Sequence, residues 1–358
     1  MTTSVPLFSL LMSGFIAVSA SLIANPAYSK ATDTAMPIFA AYTSNNLQRQ
    51  CEKISCNLNV LQSDELQRAS LQMSNVDELQ SALSLSEYEV LIATAIVHTD
   101  TAPELIFEIT TTWRDIPLND LVIAKNLDSD AINNPNDIIE TATSILSEWL
   151  GFIQAEHVLE ATTIYKKLKA SDYTNMLQVP SSIGEFTLRE SALYRDPMQG
   201  SISRYSHPEF SDAIIDINVF PISPFKHSNT ASLSNINLEP RNAKLEKTRP
   251  LKIELHSEAE HINQIIKQAN IDDYSISDVE KTSIHINGEV TEGYKLSIAL
   301  NPNDDPVFST QYVFLQNDKI IKFTGNLPES FMHKIVSQSP IMIKVPEESE
   351  FMQALRKS

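Results

Sequence analysis

Arg189, Arg195 and Arg204 cluster around the run LYRDPMQGSISRYSHPEF and offer the most concrete chemistry in this chain. If Pro197 and Met198 sit at the tip of a hairpin, Ser191 faces Arg204. The three arginines then share one face of the sheet, with Tyr194 and Tyr205 on the other. A row of guanidinium groups suits a carboxylate or phosphate ligand. Glu190, Asp196 and Glu209 lie close by and balance the three cations. The competing reading is therefore a salt-bridged sheet surface.

Cys51 and Cys56 are the only cysteines. In an oxidising compartment a close pair reads as a disulfide. Residues five apart on a helix point in different directions, so the bond requires a turn between them. A redox pair would be spaced C-x-x-C, and a zinc site would need further ligands nearby. His256 and His261 stand about 140° apart around a helix, which is unsuited to a shared metal. Asp128, Asp130, Asn133, Asn136 and Asp137, and likewise Asn301, Asn303, Asp304 and Asp305, read as turns and helix caps. Counting from Asp128, an EF-hand would need glycine where Asn133 stands. No catalytic residue, cofactor or metal is expected.

Seven glycines in 358 residues exclude more than they suggest. A dinucleotide fold, a phosphate-cradling loop and a nucleophile elbow each require clustered glycines, and these glycines are scattered. A formal net charge of −18 argues against nucleic acid, whose binding depends on neutralising phosphates. It also argues against an anionic membrane surface.

The first 29 residues contain no Lys, Arg, Asp or Glu, and positions 5–24 are mostly apolar. Ala27 and Ser29 are small residues suited to cleavage before Lys30. Residues 1–29 are thus expected to be a signal peptide and the mature chain to be periplasmic or secreted. An uncleaved anchor is the alternative. No later segment is long and apolar enough to span a membrane.

The elements that must position these residues form two α+β domains, each an antiparallel sheet packed against helices. The first is expected over 30–170, with a helix between Ser63 and Leu83, strands at about 88–125 and a helix at about 137–168, read as one long helix or two consecutive ones. YEVLIATAIVH is apolar at both parities and reads as a strand buried on both faces. Asp137 and Glu140 have capping-box spacing, and Gly151 is a candidate break. Trp113 and Trp149 are assigned to the core. The second domain is expected over 180–358. It combines hairpin strands, a long loop at 221–249, a helix at about 251–269, a four-strand meander and closing helices.

Hairpin, strand, long helix, antiparallel meander and final helix, in that order over about half the chain, resemble the PsbP-like α-β-α sandwich. That resemblance implies a non-enzymatic accessory role. Tyr88 through Trp113-Arg114, and LYRDPMQGSISRYSHPEF, are similar to uncharacterised envelope proteins of Gram-negative bacteria. The expectation is an exported accessory protein that binds an envelope protein or a small ligand. The alternatives are a periplasmic hydrolase with a scattered site and a carrier of a small apolar ligand.

Overall fold

Eleven residues from Tyr88 to His98 form the most apolar strand of the first unit, and their two faces meet different partners. The computed structural model describes residues 39–74, 88–99, 102–114, 116–128, 130–223, 243–269, 271–301 and 306–357. The expected signal segment, 1–29, lies outside them. The described residues divide into two units, 39–167 and 168–357. Among them, no helix is long and apolar enough to cross a membrane.

In the first unit β1 (Phe39–Ala41), β2 (Cys56–Leu58), β3 (Tyr88–His98), β4 (Pro103–Trp113) and β5 (Ile116–Asn126) make a five-stranded sheet. β1 runs parallel to β3, whereas every other pairing is antiparallel. β1 and β2 occupy the same edge of β3 end to end, because β1 pairs with Val90–Ile92 and β2 with Ala95–Val97. Helix α1 (Asn45–Cys51) lays Leu47 over Ala93 and Ala95 on one face. Helix α2 (Ser63–Leu71) follows β2; residues 75–83 of the longer helix expected there lie outside the described residues.

Helix α3 (Pro135–Ala155) buries Ile139, Ala142, Ile145, Leu146, Trp149, Leu150 and Ile153, a stripe at helical period. Trp149 is fully buried and meets Phe39 edge-on at 6.0 Å. The cap differs from expectation. Asn134, not Asp137, is the N-cap; its side chain accepts from the Asn136 N–H, and Pro135 opens the helix.

The break also moves. Gly151 stays helical, and the helix stops at His157, whose φ is +52°. There the Val158 N–H returns to Ile153 O and the His157 N–H to Gln154 O, a Schellman closure with histidine in the usual glycine position. The helical stretch expected at 137–168 thus consists of two helices, α3 and α4 (Ala161–Leu168).

The second unit opens with the short helix α5 (Tyr173–Met176). Its sheet has nine strands and is antiparallel throughout. The strands are β6 (Ser182–Ile183), β7 (Phe186–Leu193), β8 (Ser201–Ser206), β9 (Ile214–Pro221), β10 (Tyr274–Ile276), β11 (Glu280–Ile286), β12 (Glu289–Leu300), β13 (Val307–Gln316) and β14 (Lys319–Gly325). The spatial order is β10-β12-β13-β14-β9-β8-β7-β6, with β11 sharing the β12 edge with β10. Asn287-Gly288, both at positive φ, turn β11 into β12. Gly200 has φ +68°, and a Cβ there would lie 2.0 Å from Val219 O, so only glycine fits.

Helix α6 (Ala243–Gln268) begins eight residues before the expected start at Leu251. Pro250 removes one helical hydrogen bond without ending the helix. The loop expected at 221–249 is shortened accordingly, and residues 224–242 lie outside the described residues. Leu251, Leu255, Ile262 and Ile266 of α6 pack on Tyr294, Leu296, Ile298 and Leu300 of β12, with Val313 and Ile320. Helix α7 (Glu329–Gln338) sets Met332 against Gly325, and helix α8 (Glu350–Lys357) closes the chain. The tail before α8 is anchored by Asn287, whose side chain donates to Ile343 O and accepts from the Ile343 N–H.

Candidate functional site

β9 reads IIDINVFP, with Ile215, Ile217 and Val219 alternating against Asp216 and Asn218. Strand alternation sends these two sets to opposite faces. The register carries the polar set across the sheet. Arg204, Asp216, Thr324 and Gln311 are consecutive cross-strand partners on β8, β9, β14 and β13. Beside them Asn218 pairs with Lys322, and Lys322 with Val313. Val313 packs under α6, so this is the face the long helix covers.

From α6, Glu254 and Glu258 point at the row one helical turn apart. Glu258 accepts from Lys322 Nζ at 3.1 Å and from Gln311 Nε2 at 3.4 Å. Glu254 Oε1 lies 3.9 Å from Lys322 Nζ. Arg204 forks onto Asp216, with Nε donating to Oδ1 at 3.0 Å and Nη2 to Oδ2 at 3.1 Å. Glu190 Oε1 stands 3.6 Å from Arg204 Nη1. The Tyr194 hydroxyl donates to Asn218 Oδ1 at 3.0 Å.

The row sinks into the protein as it runs. Side-chain exposure falls from 50% at Glu190 to 21% at Arg204 and 6% at Asp216. Gln311, at the far end, is 2% exposed overall. Burial pushes the Asp216 carboxyl above the usual range despite the opposing pull of Arg204. The hydrogen bonds it donates to Asp216 hold the Arg204 guanidinium more firmly protonated. Burial, with Asp216 adding to it, pushes the Tyr194 phenol up to about 12. Two polar atoms in the row, Gln311 Oε1 and Thr324 Oγ1, are buried without a hydrogen-bond partner.

The expected arginine row is only partly assembled. Glu190, not Ser191, pairs with Arg204, because a bulge at Arg189 between Leu188 and Glu190 shifts the register by one. Arg189 donates to Ser206 Oγ at 2.6 Å, two residues along β8 from Arg204. Arg195 lies in the turn that follows β7. Tyr194 reaches the Arg204 side of the sheet rather than the opposite one. Tyr205 does face away, donating to Pro180 O at 2.7 Å. Arg204 is thus the expected site residue that belongs to the row, and a carboxylate already occupies it.

Cys51 ends α1 and Cys56 opens β2; their Cα atoms are 5.4 Å apart, and the pair is bonded. Among the described residues no group of three or more His, Cys, Asp or Glu is arranged to hold a metal. His256 and His261 both lie on α6, and Asn301 donates to Asp273. Asn303, Asp304 and Asp305 lie outside the described residues.

Sequence reasoning missed Glu254, Glu258, Gln311, Lys322 and Thr324. For the β14 members the signal was Lys322 and Thr324 in the strand KIIKFTG, which pair with the polar residues Asn218 and Asp216 of β9. No single segment contains the row.

No protein-family model matches the chain, and no curated protein matches it. Among solved structures, the chain is similar to the solution structure of cyanobacterial PsbP (CyanoP) from Synechocystis sp. PCC 6803. The identity is 11% and the TM-score 0.25, over 48% of this chain and 92% of that one. This is a weak resemblance in fold, and nothing further is carried over from it.

Proposed function

We propose that this chain is an exported, non-enzymatic binding protein of the cell envelope, and that the polar row beneath α6 is where it holds a small polar ligand. The export reading rests on the uncharged opening segment and is supported by the bonded cysteine pair.

One observation carries the binding reading. The charged groups of the row already have partners, whereas two buried polar atoms beside them have none. A carboxylate forked by arginine and a glutamate shared by lysine and amide are poorly placed to shuttle protons. An unmatched acceptor calls for a donor instead. The row is also too polar to line a carrier of apolar ligands.

The test is a thermal-shift screen of the purified protein against small polar compounds, run beside turnover assays on generic esters and peptides. At least one compound should raise the melting temperature saturably, with no turnover. Hydrolysis abolished by Asp216→Asn would overturn the reading in favour of the hydrolase.

A further inference from the structure

The orphaned atoms of the row define what the ligand must bring. Glu258 accepts from Gln311 Nε2, which fixes the orientation of that amide. Turned the other way, the amide would set its oxygen against the carboxylate. Gln311 Oε1 therefore faces away from Glu258 and has no donor. Thr324, the cross-strand neighbour of Gln311, is 8% exposed, and its hydroxyl is equally unmatched. Neighbouring side chains in such a register have Cβ atoms roughly 5 Å apart, so one nitrogen can bridge the two oxygens.

Charge narrows the choice. Leaving Glu254 aside, three carboxylates (Glu190, Asp216 and Glu258) surround two cations (Arg204 and Lys322). An anion would meet that excess and an acceptor oxygen. A divalent metal would compete with both cations for the same oxygens, at a place with no metal-holding group among the described residues.

We infer that the site takes a small aliphatic ammonium, a primary amine or diamine, whose N–H groups donate to Gln311 Oε1 and Thr324 Oγ1 beside the Glu258 and Asp216 carboxylates. This rests on the binding reading above and specifies its ligand class.

Titration calorimetry on the full chain tests this with four probes: propylammonium, 1,4-diaminobutane, tetramethylammonium and inorganic phosphate. The two N–H-bearing cations should bind saturably, whereas tetramethylammonium, a cation without donors, and phosphate should not. Thr324→Val removes one orphan without creating another, whereas Gln311→Met removes the other orphan and also the amide donor to Glu258 Oε1. Each should weaken binding of 1,4-diaminobutane at least tenfold, and Thr324→Val should do so with the melting temperature unchanged or raised. Equal binding of tetramethylammonium would overturn the donor argument. Phosphate binding that disappears in Thr324→Val would leave the site a binding site and overturn the ammonium assignment alone. If no probe binds and Thr324→Val merely gains stability, the orphans hold a bridging water only, and the inference falls.

Discussion

Asp318→Asn should be among the most damaging conservative substitutions in the second unit. Lys319 has no exposed side-chain surface, and its ammonium donates to both oxygens of Asp318 at 2.6 Å and to Glu347 O at 3.4 Å. Burial holds that ammonium below the usual 10.5, against the favourable pull of Asp318. Asparagine preserves the shape and suits the turn at positive-φ Asn317. What it removes is the countercharge.

Breaking one side of a buried pair costs about 3–5 kcal/mol. A ceiling follows from the escape route in which the lysine gives up its proton. At pH 7 that costs roughly 5 kcal/mol relative to a free lysine. At 2–4 °C per kcal/mol for a unit of this size, the melting temperature should fall by roughly 6–20 °C. Trp113 and Trp149 both lie in the other unit, so the readout is far-UV circular dichroism with hydrogen exchange at the β14 amides. The double variant Asp318→Asn/Lys319→Met removes both charges and should return to within about 1 kcal/mol of the parent. A single variant within 1 kcal/mol of the parent, or a double variant as damaged as the single, would refute this account.

Four further outcomes are expected. Because the folded-state pKa of Lys319 lies below its unfolded value, the unfolded chain binds more protons in the window ending near 10.5. Stability should rise with pH there by this contribution, and Lys319→Met should flatten that rise in urea titrations between pH 8 and 10. Thr324→Val, which deletes an unmatched buried hydroxyl, should raise the ligand-free stability by about 1 kcal/mol in the same titrations. Gly200→Ala combines a left-handed backbone with a Cβ aimed at Val219 O, and should cost more than about 2 kcal/mol by chemical unfolding. Replacing Cys51 and Cys56 by serine opens a short loop and should cost about 2 kcal/mol, matched by the parent under reducing conditions.

Much of the architecture could be read from local pattern. The apolar run of β3, the strand-like runs at β4, β9, β12, β13 and β14 and the apolar stripe of α3 each declare themselves within a short stretch of sequence. The failures are equally local in origin. The stop of α3 was sought at Gly151, but a Schellman closure with His157 at positive φ leaves no glycine to find. The helix expected from Leu251 begins at Ala243, and Pro250, a residue type that usually marks a boundary, lies inside it. The bulge at Arg189 shifts the hairpin register by one residue and exchanges Ser191 for Glu190 opposite Arg204. The candidate site was hidden for a different reason. Its members come from residues 190–218, 254–258 and 311–324, and strand register alone makes them neighbours. In sequence no short motif joins them.

The β9–β14 pairing has a consequence for how the second unit assembles. β6 to β9 form one local meander and β11 to β14 another. β9 and β14 pair residues about a hundred positions apart, from Pro221–Lys319 to Ile215–Gly325. Closing that seam is the high-contact-order step and should limit the folding rate. Asp216–Thr324 and Asn218–Lys322 lie across it, so the polar row exists in neither half alone. During refolding, ligand competence should therefore appear late, in step with the last protected amides of β9 and β14. An occupant bridging the row would act as a clasp on the seam, slowing its opening far more than that of either meander.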